Sequence, residues 1–561
     1  MSAEPFRRDG IVLAVVVVVA AALRIGLAVQ PGLWCDEIFS LAMATGHSLE
    51  HPATVADPAR GDFVEPRDVV SAATFRRYLE PETPPAGLAR VTRAVALSDT
   101  SPPLYYLLLA FWQGLAGSSD AALRMFSTTC ALLSLPLLWG VARDLGGRRV
   151  ALLATVLFTL APPALYYAAE GRMYALTWLL GLALARATLV LARDGARPVW
   201  VVGWIVLAAA GLLTHYFLLF VWLAQTAWLL RYPGRLPRPV VVGMMTAVGV
   251  LILPWYLRVP ASLGAWRVTG RWLATPLGYG QLAYGVLRLG GSLVNGYGVW
   301  TGIKLTMAAQ AVLILALIVA LLRRGGARAT PEQRLATFWL VGSVVGPVVL
   351  DLLRHTATSR IERYALPGLP AAMVVLSLAL DRVFRPVGIA VLIGTVIAWL
   401  PGLREVARSS PRAWEPFPTI AAHLAGWTGS RDLVIVSSIP SGVLGVARYV
   451  APETPMVGWI EALGGRRMPE DAERLTADRC RVAFVRTHDL GERASVETWL
   501  RGRAETVRDL VLYDEAGVQT VITYFTLPAP DGRCASRSSD SREPAATAPD
   551  ARAPRVPHSG G

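Results

Sequence analysis

The sequence predicts a polytopic α-helical membrane protein that ends in a small α/β domain. Of its 561 residues, 54% are hydrophobic and 17% are charged, and the mean hydropathy is +0.45. An ordinary soluble domain carries about 25% charged residues. Apolar runs of roughly 20 residues, the length that crosses a bilayer, follow one another through the first 400 positions. The composition therefore excludes an ordinary soluble protein.

About eleven apolar runs are predicted to span the membrane. The short loops between alternate pairs of spans, such as 143–149, are rich in arginine. Because cytoplasmic loops carry an excess of basic residues, we predict an N-terminus inside, an odd number of spans and a C-terminus outside. The predicted spans are 10–29, 122–141, 150–167, 173–191, 199–213, 216–230, 240–257, 300–322, 336–353, 365–380 and 387–400.

The first run also fits a cleavable signal peptide, since Arg7 and Arg8 precede an apolar stretch. Arg24 interrupts that stretch near its outer end, and no small-residue cleavage site follows cleanly. These two features favour a retained span.

Two long segments fall on the predicted outer face, at about 30–120 and 258–299. Within the first, the apolar segment 101–117 is short and opens with a pair of prolines. If it crossed the membrane, the arginine-rich loop 143–149 would lie outside. We therefore predict a helix that lies in the membrane interface, with a short span as the alternative.

The pattern changes after residue 400, and we predict three domains. These are a transmembrane domain over 1–403, a soluble extracytoplasmic α/β domain over 404–527 and a disordered tail over 528–561. The predicted strands are 432–437, 480–486, 506–512 and 520–526, with helices at 417–424, 441–449 and 495–503. The four cysteines lack metal-ligand spacing, and a single disulfide between Cys480 and Cys534 would fit an oxidising compartment.

The formal net charge of +14 does not indicate a nucleic-acid partner. The basic residues stand singly or in pairs between apolar runs, which is typical of topology signals. We predict the lipid bilayer as a partner, together with substrates that react at the membrane surface.

Ionisable residues at the outer ends of spans are the candidates for function, because charges near membrane depth are costly. Taken alone, each has a structural explanation: the start of a solvated helix, a contact to lipid headgroups, or an interfacial aromatic belt. Their co-location opposes the usual bias of basic residues toward the inside, and so favours a site. The candidates are Asp36, Glu37, Arg124, Glu170, Arg172, His215, Arg258, Arg360, Glu362 and Arg363.

Carboxylates grouped with several arginines suit glycosyl transfer from a lipid-phosphate sugar. A carboxylate takes a proton from an acceptor hydroxyl, and arginine forks hold a phosphate as it leaves. The polyprenyl tail of such a donor explains a site at the membrane surface.

The order of several motifs resembles the bacterial family 39 glycosyltransferases, which have a GT-C fold and are related to protein O-mannosyltransferases and aminoarabinose transferases. The resemblance covers about residues 12–400. The motifs are Leu23-Arg24, LWCDEIFS (33–40), SPPLYYLLL (101–109), ALRMFS (122–127), YYAAEGRMYAL (166–176), THYF (214–217), PWY (254–256) and ERYALPGLP (362–370).

This resemblance implies that Asp36 is the catalytic base and that Glu37 orients the acceptor or shapes the loop. It implies that Arg124, Arg172 and Arg363 hold the donor phosphate. We expect Arg258 to join them. The expected substrate contacts come from Glu170, Tyr105, Tyr174, His215, Tyr216 and Tyr364.

The implied reaction is a single displacement that inverts the sugar's anomeric carbon and requires no cofactor. If a divalent cation binds, Asp36 and Glu170 are the expected ligands. The resemblance places the protein in a bacterial plasma membrane with its active site on the extracytoplasmic face. The resemblance does not identify the sugar that is transferred. It also does not identify the acceptor, which is a protein, a polysaccharide or a lipid. The α/β domain recognises the acceptor, covers the site or serves as a structural cap.

Two other functions compete with this one. A transporter or flippase of lipid-linked sugars would share the spans and the basic groove, but it would not need the Asp36-Glu37 pair and more often shows interrupted spans in matched halves. A non-enzymatic scaffold with a working α/β domain leaves the charges on the outer face unexplained.

Overall fold

A computed structural model describes residues 4–51, 53–98, 101–258, 276–295, 329–383, 385–408, 415–488, 494–513 and 519–528. Most of them are helical. The α-helices of the membrane part and its outer loops are α1 Glu4–Ala28, α2 Cys35–Ala44, α3 Ala72–Arg76, α4 Leu88–Ser98, α5 Leu104–Ala116, α6 Asp120–Leu160, α7 Pro162–Ala168, α8 Tyr174–Asp194, α9 Pro198–Leu212, α10 Leu218–Arg231, α11 Arg238–Tyr256, α12 Tyr279–Asn295, α13 Pro331–Arg354, α14 Leu369–Arg382 and α15 Arg385–Arg408. Short 3-10 helices lie at Pro58–Arg60, Arg77–Leu79, Thr358–Arg360 and Glu362–Gly368.

Seven helical segments of the described chain are long and apolar enough to cross a membrane. They are Asp9–Ala28, Asp120–Leu160, Tyr174–Asp194, Arg238–Tyr256, Pro331–Arg354, Glu362–Arg382 and Arg385–Arg404. Three shorter apolar helices, α5, α9 and α10, accompany them. The protein is thus a polytopic helical membrane protein, as predicted. The count of eleven spans and their orientation stay predictions, and the run 300–322 lies outside the described residues.

The predicted span 150–167 is wrong at its C-terminal end. Helix α6 stops at Leu160, and α7 begins at Pro162. The residue before a proline is pushed out of the helical region, and Ala161 accordingly has an extended ψ of 126°. Helix α6 is also broken at Gly147, whose φ is 79°, between the predicted spans 122–141 and 150–167.

The α/β part contains all four predicted strands and two more. The strands are β1 Val70–Ser71, β2 Asp432–Ser437, β3 Pro455–Trp459, β4 Arg481–Arg486, β5 Thr506–Tyr513 and β6 Gln519–Thr526. Helices α16 Phe417–His423, α17 Pro440–Tyr449, α18 Glu470–Thr476 and α19 Ser495–Arg501, with the 3-10 helix Glu461–Leu463, connect them.

The six strands form one mixed sheet in the order β1-β3-β2-β4-β6-β5. The β2 strand pairs in parallel with β3 and β4, and the remaining pairs are antiparallel. The edge strand β1 comes from the first outer loop, so the predicted boundary 404–527 leaves out one strand of the sheet. A two-residue strand carries no sequence pattern that could have predicted it.

The sheet domain packs against the segment that follows the first span. Helix α17 contacts both α2 and α3. Cys480 is disulfide-bonded, whereas Cys35 and Cys130 are free thiols. The predicted partner of Cys480, Cys534, lies outside the described residues. The contact between α17 and α2 brings the α/β domain to the carboxylate pair on which the site is centred.

Candidate active site

Asp36 and Glu37 lie in the first turn of α2 but face different surroundings. Successive helical residues are rotated by about 100°, so neighbours cannot share one face. The Glu37 side chain is fully buried, whereas 24% of the Asp36 side chain is exposed. Asp36 is therefore accessible to a substrate and Glu37 is not.

Glu37 is held by a buried two-point ion pair with Arg124. The Arg124 Nε and Nη2 atoms donate to the two carboxylate oxygens at 2.8 and 2.7 Å, and both side chains are fully buried. Glu37 also accepts from the backbone N–H of Gly171 at 2.8 Å. The remaining Arg124 contacts are to the carbonyl oxygens of Gln30, at 2.5 Å, and Gly32.

This geometry gives Glu37 and Arg124 a positioning role. They join the start of α2, the start of α6 and the 169–173 loop. The resemblance implies a contact between Arg124 and the donor phosphate, but the buried guanidinium already has a carboxylate and two carbonyl oxygens as partners. The expected role of Glu37 in shaping the loop stays a prediction.

Asp36 lies between two guanidinium groups. Its Oδ2 is 3.3 Å from Nη1 of Arg363 and 3.9 Å from Nε of Arg172. Arg172 also donates to the Tyr106 hydroxyl at 3.0 Å. The Arg363 guanidinium faces the Trp34 ring at 5.7 Å, and a quarter of its side chain is exposed. Asp36 and Arg363 thus form the accessible part of the site.

Glu170, the second carboxylate of the expected site, is buried next to this group. It is 3% exposed, and its Oε2 has no hydrogen-bond partner among the described residues. Burial and the repulsion of Glu37 outweigh the attraction of Arg363 and raise the pKa of Glu170 to about 8. Glu170 is therefore mostly neutral at pH 7, and Asp36 with Arg172 and Arg363 leaves one net positive charge.

Aromatic rings form a chain beside these charges. Tyr174 lies 4.9 Å from Tyr167 and 5.7 Å from His215, measured between ring centroids. Tyr364 stacks on Phe217 at 4.3 Å, with an angle of 8° between the rings. The fold thus brings together Tyr174, His215 and Tyr364, three of the residues expected to contact substrate.

Two other expected substrate contacts, Tyr105 and Tyr216, and the expected phosphate-binding residue Arg258 have different surroundings. Tyr105 is fully buried, with its hydroxyl 3.1 Å from that of Ser127. The Tyr216 hydroxyl accepts a hydrogen bond from Trp255 at 3.2 Å. Arg258 is exposed just beyond the C-terminal end of α11.

Sequence reasoning missed a second group that holds the turn before Asp36. Asp120 accepts hydrogen bonds from the Gly32 N–H at 2.9 Å and from the Tyr449 hydroxyl at 2.6 Å. The Tyr449 hydroxyl also accepts a hydrogen bond from the Leu33 N–H at 2.8 Å. Arg448 donates to the other oxygen of Asp120 at 2.8 Å. The Ser119-Asp120 start of α6 is a helix-cap signal, but no local pattern marks α17 as its partner.

A three-donor group suited to a metal ion lies one residue from Asp36. The group consists of Cys35, Glu415 and His488. One ligand atom from each residue lies within 4.8 Å of the other two. The expected metal ligands Asp36 and Glu170 do not belong to it.

Known proteins share this fold. Residues 100–257 match the sequence model of the family described as dolichyl-phosphate-mannose-protein mannosyltransferase. The crystal structure of ArnT from Cupriavidus metallidurans bound to undecaprenyl phosphate is similar at 13% identity and a TM-score of 0.51, covering 93% of this chain and 98% of that one. The chain thus matches this mannosyltransferase family over residues 100–257 and shares the fold of ArnT. This confirms the resemblance given by the motifs.

Two structures of the oligosaccharyltransferase from Archaeoglobus fulgidus are also similar. The complex of this protein, AglB, with an inhibitory peptide and a dolichol-phosphate is 12% identical, with a TM-score of 0.48 over 93% of this chain and 74% of that one. The complex with Zn and sulfate is 11% identical, with a TM-score of 0.45 over 91% and 72%. No curated protein sequence matches the chain.

We predict that Arg124→Met strongly destabilises the protein, because it leaves the Glu37 charge buried without its partner. Breaking a buried pair in this way typically costs about 3–5 kcal/mol. Arg149→Met is the control, since Arg149 is 63% exposed and its pair with Asp381 at 3.3 Å is a surface contact. The apparent melting temperature in detergent should fall clearly for Arg124→Met and little for Arg149→Met. Equal changes would contradict the positioning role.

We predict a pH-dependent effect of Glu170→Gln. Because folding raises the pKa of Glu170 from 4.5 to about 8, its contribution to stability is present below pH 4.5 and is lost as the pH rises through 8. Glutamine does not titrate, so the variant should melt higher than the wild type at pH 9 and gain less at pH 5. The exposed Glu80→Gln on the first outer loop should show no such difference. A gain that is the same at both pH values would contradict the neutral state of Glu170.

Proposed function

We propose that the protein is an inverting glycosyltransferase that moves a sugar from a polyprenyl-phosphate donor to an acceptor hydroxyl. The observation that carries this proposal is the partly exposed Asp36 carboxylate beside the guanidinium groups of Arg363 and Arg172. In this arrangement the carboxylate can accept a proton, and the two guanidinium groups beside it can bind a phosphate.

The cations are suited to an anionic ligand. Guanidinium forks form strong, charge-assisted hydrogen bonds to phosphate oxygens. The Arg363 Nε is buried without a hydrogen-bond partner among the described residues, so it retains a donor for a ligand. Because Glu170 is mostly neutral, it does not cancel the net positive charge, and its protonated oxygen can donate a further hydrogen bond.

The proposed reaction is a single displacement. An acceptor hydroxyl gives its proton to Asp36 while its oxygen forms a bond to C1 of the sugar. The bond between C1 and the phosphate oxygen breaks on the opposite face, and the configuration at C1 inverts. Arg363 and Arg172 stabilise the charge that develops on the departing polyprenyl phosphate.

The neighbouring rings and the relatives support the same assignment. Tyr174, His215 and Tyr364 lie beside the charged group and are proposed to contact the sugar or the acceptor. The matching family is described as dolichyl-phosphate-mannose-protein mannosyltransferase, and ArnT was crystallised with undecaprenyl phosphate. If a divalent cation takes part, Asp36 and Glu170 remain the proposed ligands.

The proposed location is a bacterial plasma membrane with the site on its extracytoplasmic face. Helix α5 has 13 residues, which is shorter than the roughly 20 needed to cross a bilayer. Placing it in the interface keeps the arginine-rich stretch 143–149 in the middle of α6 inside and the Asp36 loop outside. A polyprenyl donor would then reach the site from the membrane, and the acceptor would reach it from the outer compartment.

The test is transfer of radiolabelled sugar from polyprenyl-phosphate donors to membrane acceptors by Asp36→Asn. Removing a general base costs roughly 10²–10⁴-fold in rate, so incorporation should nearly vanish. Asp68→Asn, expressed to the same level, is the control because its carboxylate lies on the same outer loop with a side chain 79% exposed. Wild-type incorporation by Asp36→Asn would overturn the proposal. Movement of lipid-linked sugar across the bilayer without a new glycoside would favour a transporter.

A further inference from the structure

Three side chains with different ligand atoms meet directly beside Asp36. Cys35 begins α2, Glu415 lies two residues before α16, and His488 follows β4. One ligand atom from each lies within 4.8 Å of the other two. The Cys35 and Glu415 residues are buried, and 31% of the His488 side chain is exposed. The group therefore has a closed side against the protein and an open side toward solvent.

The carboxylate at the centre of the group already joins the two parts of the molecule. Glu415 Oε2 accepts from the Cys35 backbone N–H at 2.9 Å, and its Oε1 lies 2.7 Å from His488 Nδ1. His488 has a φ of 74°, in the left-handed region that non-glycine residues seldom adopt. The backbone is thus held in an uncommon conformation at the residue that brings its ring to Glu415.

The donor set selects a class of metal ion. A thiolate, an imidazole nitrogen and a carboxylate oxygen suit zinc and similar transition-metal dications, whereas calcium and magnesium prefer oxygen ligands alone. Zinc bonds of about 2.0–2.3 Å place tetrahedral ligand atoms roughly 3.3–3.8 Å apart. The three atoms lie within 4.8 Å of one another, and binding would separate Glu415 Oε1 and His488 Nδ1, which are now 2.7 Å apart.

We propose that Cys35, Glu415 and His488 form a binding site for a transition-metal dication of the zinc class. On binding, the Cys35 thiol releases its proton and its sulfur bonds to the metal. The carboxylate and one imidazole nitrogen supply two further bonds, and the fourth position opens toward solvent on the His488 side.

Such a site would fix the residue that precedes the proposed base. Cys35 belongs to the first turn of α2, and Glu415 and His488 belong to the α/β domain. A metal bonded to all three would therefore fasten the start of α2 to that domain and restrict the movement of Asp36. Metal binding itself does not depend on the reaction proposed for Asp36.

The experiment uses the full chain, purified in detergent, stripped with a chelator and titrated with Co²⁺. We expect a thiolate-to-cobalt charge-transfer band that saturates at about one equivalent and is removed by Zn²⁺. Cys35→Ser and His488→Gln should lose the band, whereas Cys130→Ser, which changes the other free buried thiol of the described chain, should keep it.

No band in the wild type would overturn the proposal, as would a band that survives in folded Cys35→Ser protein. His488→Gln guards against a folding defect at the buried cysteine, because His488 is partly exposed. Size-exclusion profiles establish that each variant is folded. The titration contains no sugar donor, so its outcome is separate from that of the Asp36 transfer assay.

Discussion

The buried ion pair between Glu37 and Arg124 is the interaction on which the candidate site depends. Two charges without any exposed surface are tolerated only when they satisfy each other and their neighbours. This requirement brings together the start of α2, the start of α6 and the backbone of Gly171. Since Glu37 points inward, its neighbour Asp36 is rotated toward the accessible side, where Arg172 and Arg363 meet it.

The α/β domain supports the same loop from the other side. Tyr449 and Arg448 of α17 bind Asp120, which also holds the Gly32 N–H, and Glu415 holds the Cys35 N–H. The first outer loop in turn contributes strand β1 to the sheet. These contacts make the domain part of the framework of the site, in addition to any role that it has in recognising an acceptor.

The sequence contained enough information for the general architecture. Apolar runs of bilayer length and short alternating segments do not depend on distant contacts, so the long spans and the four main strands could be predicted. The grouping of Asp36, Arg172 and Arg363 could also be predicted, because charges at the outer ends of spans are expected to share one face.

The division of roles within the site could not be predicted in the same way. Adjacent carboxylates look alike in a sequence, and only packing shows that Glu37 is buried and Asp36 is accessible. For the same reason, the sequence does not distinguish the buried guanidinium of Arg124 from the partly exposed guanidinium of Arg363. Tyr449 lies more than 300 residues from Asp120, and no local periodicity reports such a contact.

The most direct measurement is a cryo-EM structure of the protein with a bound polyprenyl phosphate. We expect the phosphate at the guanidinium groups of Arg172 and Arg363, next to Asp36, while Arg124 stays paired with Glu37. A phosphate bound elsewhere, or an Arg124 that leaves Glu37 to bind it, would contradict this account.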